Sequence, residues 1–139
     1  MRPLVAVRRA KAFDPEFFRK SPLFWPIVPA AVALGPQSDF PSLLTLQRVF
    51  GGEGPVRFVQ AAPRRRRRAA VEARSLYDGR IVLDRVVPTR ERCWHDLMNA
   101  LVWGTFPHAK RALHERQYRA QAGRIAPGAR TLPAARSSL

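Results

Sequence analysis

The chain of 139 residues has one cysteine, Cys93, and that alone excludes an intrachain disulfide framework and a multi-cysteine zinc site. Lysine is nearly absent. Only Lys11, Lys20 and Lys110 occur, so 22 of the 25 basic residues are arginine. Acidic residues number 10, leaving a net charge of +15. No long apolar run is present. The longest stretch, Pro22 to Pro36, is about 15 residues, short of the roughly 20 that span a bilayer, and Pro26 and Pro29 interrupt it. The first residues, MRPLVAVRRAK, return to charge at Arg8 and Arg9 before a signal-peptide core could form. These features predict a bacterial, cytoplasmic protein without a transmembrane segment. No internal repeat, Walker loop, G-x-S-x-G elbow or dinucleotide fingerprint is present, and neither a cofactor nor a metal is expected.

What is there suffices for a core. Hydrophobic residues make up 46% of the chain, which excludes wholesale disorder. Asp14-Pro15-Glu16 reads as a helix start that turns Phe17 and Phe18 inward. Ser21-Pro22 repeats that signature, and the later prolines predict a broken helix. A third helix opens near Phe40-Pro41-Ser42 and stops at Gly51-Gly52. Val56 to Val59 alternates as a short strand. Tyr77-Asp78-Gly79-Arg80 reads as a turn and Ile81-Val82-Leu83 as a short strand or loop.

The clearest helical pattern follows. Thr89 is expected to cap a helix over about Arg90 to Trp103, Gly104 to stop it, and Pro107 to start a second helix reaching about Tyr118. Trp94, Leu97, Met98, Leu101 and Val102 share one arc and are expected to be buried. His95, Asp96, Asn99 and Trp103 fall on the other side. The fold expected is mainly α with one or two short strands, a small helical domain with a helix–turn–helix corner at 90–118. Residues 1–122 are expected to form the single domain, with a flexible basic loop at 64–68, and 123–139 a loose C-terminal tail.

The run Trp94 to Lys110, W-H-D-L-M-N-A-L-V-W-G-T-F-P-H-A-K, resembles the W-H-D-x-x-N-A-L-x-W-x-x-F-P-x-x-K signature of the bacterial family called domain of unknown function 3025. Trp94, His95, Asp96, Asn99, Ala100, Leu101, Trp103, Phe106, Pro107 and Lys110 match it. The likeness extends to the Tyr77 segment, to Val87-Pro88-Thr89-Arg90 and to Phe13-Asp14-Pro15. Cys93 stands where the family pattern has Asn, Gly104 where a bulky apolar residue is commoner, and His114 where Asn is usual. The run Arg64 to Arg68 is no part of the pattern. The resemblance implies a C-terminally shortened member and no known activity.

Three readings compete for these residues. In the first, His95, Asp96, Asn99 and Lys110 form a structural network that closes the helical corner, the protein itself being an interaction module. Asp96 would pair with Lys110 or Arg90, Asn99 would satisfy carbonyls near Gly104, and Trp103 and Phe106 would pack across the corner. His95→Ala would then be destabilising. In the second, the second helix presents His108, Lys110, Arg111, His114, Arg116 and Gln117 to nucleic acid, with Arg64, Arg65, Arg66, Arg67 and Arg68 adding phosphate contacts. In the third, His95 and Asp96 serve a metal-dependent hydrolase or nuclease, with Asn99 beside them. No H-x-x-x-H pair supports this last reading. The leading expectation is non-catalytic association with anionic partners, nucleic acid first.

Overall fold

A computed structural model describes residues 12–62 and 73–125. The Arg64–Arg68 run and the segment from 126 onward lie outside the described residues. The elements in chain order are α1 (Val28–Ala33), α2 (Leu43–Leu46), β1 (Arg57–Gln60), α3 (Tyr77–Asp84), β2 (Val86–Thr89), α4 (Trp94–Thr105) and α5 (Pro107–Ala122). Short 3₁₀ turns at Phe17–Arg19 and Pro22–Ile27 precede α1, and a π-helical segment, Gln47–Gly51, extends α2. The mainly α architecture with a small sheet is as expected. No helix among the described residues is long and apolar enough to cross a membrane.

Local chemistry sets most element starts. Ser21 Oγ accepts from the Leu23 N–H at 3.3 Å, and Pro22 occupies the first position of its turn. Pro26 and Pro29 then split the apolar stretch into a 3₁₀ turn and α1. Asp14 supports only a 3₁₀ turn, yet Phe17 and Phe18 are buried as expected. Ser42 caps α2 by accepting from Thr45 N–H at 3.2 Å. The wide π turn leaves Gln47 Oε1 free to accept from Phe58 N–H at 2.7 Å, tying this helix to β1. A side chain on Gly51 would collide with Gln47, its Cβ falling 2.3 Å from that same oxygen.

β1 and β2 are parallel, in the register Arg57↔Val86, Phe58↔Val87, Val59↔Pro88 and Gln60↔Thr89. Arg57 N–H donates to Arg85 O at 2.8 Å and Ala61 N–H to Thr89 O at 3.0 Å. Pro88 is tolerated because both strands of a two-stranded sheet are edges. Parallel strands need a crossover, and α3 supplies it. The expected turn at Tyr77–Arg80 and strand at Ile81–Leu83 are therefore corrected to one helix. Asp78 and Ile81 lie three residues apart and are both buried, and that face packs on α5. Arg85, in the left-handed region at φ 57°, ends α3 and starts β2.

Thr89 does not cap α4. It ends β2, buried, with its hydroxyl donating to Val87 O at 2.9 Å. Cys93 is the N-cap residue and α4 begins at Trp94. Gly104 does not stop the helix, which runs on to Thr105. Instead, its missing side chain makes room for Phe50, since a Cβ there would sit 2.4 Å from Phe50 Cδ1. A single residue, Phe106, separates α4 from α5. The expected corner is present, but its connection is shorter than the three or four residues of a DNA-binding helix–turn–helix turn.

The core gathers around α4. Ala100 and Leu101 are fully buried, with Leu97 and Trp103 nearly so. Val87, Phe58, Ile81, Leu46 and the α1 residues Ala30 and Ala31 close around them. Half-buried Trp94 lies among Phe13, Phe17 and Phe40, with ring centroids 5.0–5.5 Å away. Trp103, expected on the polar side, is a core residue.

Candidate functional site

The signature residues do not converge on one point. They divide between two polar clusters, and Tyr77 touches both.

The first cluster centres on Asp96, the third residue of α4. Its Oδ2 accepts from the Arg90 backbone N–H at 2.8 Å and from Arg90 Nε at 2.9 Å. Its Oδ1 accepts from Arg90 Nη2 at 3.0 Å and lies 2.9 Å from His95 Nδ1. An ionised carboxylate only accepts, so Nδ1 of His95 carries the proton and donates. Four bonds thus occupy both oxygens. An acid at this helix position reaching back to an upstream N–H follows the logic of a capping box. The Asp96 side chain is 12% exposed. Burial alone would raise its pKa, but the hydrogen bonds from Arg90 and His95 and the Arg90 charge outweigh burial and hold the carboxyl well below the usual aspartate range. The loop feeding α4 is also anchored at Glu91, whose carboxylate accepts from Leu43 N–H at 3.1 Å, and at Arg92, which pairs with Asp39.

His95 is the outward member, its side chain 84% exposed. Its Nε2 bonds to nothing among the described residues. The His95 side chain lines a recess of about 560 Å³ together with Tyr77, Arg90, Asp96, Ala61, Ala62 and Pro88. The Tyr77 hydroxyl accepts from Asn99 Nδ2 at 3.0 Å, which leaves its own proton to donate elsewhere. Burial raises the Tyr77 pKa, so the phenol stays protonated across the neutral range.

The second cluster is buried between α3, α4 and α5. His114 Nδ1 lies 2.6 Å from Asp78 Oδ1, and Gln121 Nε2 donates to Asp78 Oδ2 at 3.0 Å. The His114 ring stacks on Trp103 at 5.6 Å with 8° between planes, and Tyr77 meets its edge at 5.7 Å. Lys110 Nζ sits over the other partner of that stack, 5.7 Å from the Trp103 ring centre. Burial lowers the Lys110 pKa, opposed by the charge of Asp78.

Measured against expectation, Asp96 pairs with Arg90 and not with Lys110. Asn99 bonds Tyr77 and leaves the Gly104 region alone. Phe106 remains half-exposed instead of packing across the corner, and Pro107 is the first residue of α5. His114 is buried and cannot face a nucleic acid. Arg111 and Arg116 are exposed on α5, Arg111 bonded to Glu115 at 3.1 Å. Asp78 and Gln121 went unrecognised in the sequence. One signal for them exists: Gln121 follows His114 by seven residues, two helical turns along the same face.

Residues 56–137, more than half of the chain, match the family described as "Protein of unknown function (DUF3025)". No curated protein and no solved structure matches the chain. The matched span runs from the start of β1 past the end of α5 and holds both polar clusters, while Phe13-Asp14-Pro15 falls outside it. The chain belongs to that family.

Proposed function

We propose that this family member associates, without catalysis, with anionic partners, nucleic acid first. The seating of α5 carries the reading. Of its 16 residues, only His114 is buried. Lys110, His114 and Gln121 fall within about 40° of one another and fix the helix to α3 and α4. Roughly opposite, His108, Arg111, Arg116 and Arg119 occupy an arc of about 140°. They span about 16 Å along the axis, a length that covers several phosphates. Glu115 offsets Arg111 alone.

The charge distribution supports the same reading. Residues 12–62 and 73–125 hold 14 basic and 9 acidic residues, net +5 of the total +15. The remaining ten charges belong to 1–11, 63–72 and 126–139, where Arg64 to Arg68 supply five. Five phosphate contacts give a salt slope of about −4.5, a loss of roughly 500-fold between 50 and 200 mM salt. His95 and Asp96 bond each other, and among the described residues no three His, Cys, Asp or Glu side chains are placed to hold a metal ion.

The test is fluorescence anisotropy with labelled RNA and duplex DNA across a salt series, each mixture checked for intact nucleic acid. Replacing Arg64 to Arg68 with Gln is expected to flatten the slope by several units, and Arg116→Ala with Arg119→Ala by one or two. Binding that is absent at low salt, or insensitive to salt, would overturn the proposal.

A further inference from the structure

We propose that the recess between Tyr77, Arg90 and His95 binds a phosphate monoester of nucleotide size. It uses different residues from the α5 face and goes beyond the reading above. The argument begins with what Asp96 does to its neighbours. Both its oxygens are saturated by four bonds, so its charge is answered internally and no free acceptor of it faces a ligand. Those same bonds fix Arg90 and His95 at the rim. Each keeps one nitrogen spare: Arg90 Nη1 and His95 Nε2 have no partner among the described residues. The Tyr77 hydroxyl, its oxygen already accepting from Asn99, has its proton spare. The three side chains that carry these hydrogen-bonding points line one recess.

The chemistry of those points selects the ligand. A carboxylate is best held by the paired nitrogens of an arginine fork, and Asp96 already occupies that fork on Arg90. What remains is single points on three separate side chains, which suits a tetrahedral oxyanion with three terminal oxygens. His95 suits either protonation form of a monoester. Neutral Nε2 accepts from a P–OH, and protonated Nε2 donates to a dianion. A volume of about 560 Å³ is within the range of small-molecule sites and exceeds what phosphate alone fills. Ala61, Ala62 and Pro88 add apolar surface to the lining for a sugar or base. The ester could be a free nucleotide or the phosphorylated end of a polynucleotide, and the two sources are separable.

Titration calorimetry with AMP, adenosine and inorganic phosphate tests the site on the full chain. AMP is expected to bind, adenosine not to bind, and phosphate to bind more weakly than AMP. His95→Ala and Tyr77→Phe are each expected to weaken AMP by about 5- to 10-fold, the worth of one hydrogen bond. His95→Ala keeps the test decisive if loss of the Tyr77 hydroxyl disturbs Asn99. An oligonucleotide with a 5′-phosphate that outcompetes AMP, while its 5′-hydroxyl twin does not, assigns the site to polynucleotide ends; failure of both twins to displace AMP assigns it to free nucleotides, and equal displacement by both overturns the monoester assignment. Equal binding of adenosine and AMP overturns the phosphate assignment. Equal binding of phosphate and AMP overturns the nucleotide size, and wild-type affinity in His95→Ala and Tyr77→Phe overturns the location. Loss of AMP binding with polynucleotide binding intact sinks this proposal alone, and the converse sinks only the α5 reading.

Discussion

Asp96→Ala is the sharpest perturbation of the motif. The substitution removes four bonds, but they are unequal. The Arg90 backbone N–H loses a charged acceptor, an interaction worth about 1.5–3 kcal/mol. The Arg90 guanidinium is 62% exposed, and water recovers most of what it loses, so its share is about 0.5–1 kcal/mol. His95 is more exposed still and adds little. Asp96→Ala is therefore expected to cost about 2–4 kcal/mol. Arg90→Ala keeps the backbone N–H bonded to Asp96, and is expected to cost no more than about 1 kcal/mol. The coupling between the two, from a double-mutant cycle, should match the smaller figure.

The sign of the pH dependence follows from the lowered Asp96 pKa. In the fold the carboxylate is favoured, so its contribution is complete above the unfolded aspartate value of about 3.9 and fades as pH falls toward the lower folded value. Urea unfolding of wild type and Asp96→Ala should differ by a constant amount from neutrality to about pH 5 and converge below about pH 4. Two results would refute the reasoning. One is equal cost for Arg90→Ala and Asp96→Ala, which would place all the energy in the exposed guanidinium. The other is a difference that persists unchanged into acid.

Other outcomes follow from the same geometry. His95→Ala should change stability by less than about 0.5 kcal/mol in the same urea assay, because its side chain is 84% exposed. A larger loss would return His95 to the structural network. His114→Ala should cost about 3 kcal/mol or more, since it strips Asp78 of a buried partner and Trp103 of a stacked ring; a loss of unfolding free energy under about 1 kcal/mol would contradict that pairing. Gly104→Ala should gain about 1 kcal/mol of helix propensity but lose about 1–3 to the clash with Phe50, a net destabilisation. In a Phe50→Ala background the sign should reverse, and failure to reverse would remove Phe50 as the cause.

How much of this was legible turns on what kind of signal each element carries. Caps and breakers are local, so the Ser21-Pro22 turn, the proline-split stretch and the end near Gly51 could be read directly. The pairing of β1 with β2 joins residues about thirty apart, across a helix whose own sequence, Y-D-G-R-I-V-L-D, argues for a turn and a strand. Packing against α5 and β2 supports α3 as a helix, and those partners cannot be seen from one window of sequence.

The same limit explains why α4 was found but rotated. Apolar residues run all round it, so the hydrophobic pattern fixes the helix and not its buried direction. Setting Leu97 at zero, the residues that are buried, Trp103, Ala100, Leu97 and Leu101, run from about 240° through zero to about 40°. The expected stripe ran from zero to about 140°. Asp96, at about 260°, therefore lies inside the buried arc, and a carboxylate there has to be paired for the chain to fold. Arg90 answers that need. His95, at about 160°, lies well outside the arc and satisfies no comparable demand. The adjacent letters of the H-D pair thus answer different questions: the acid is explained by folding, and the histidine is available for the proposed phosphate site. A variant that removes His95, keeps the stability curve and still loses AMP would separate the two in a single protein.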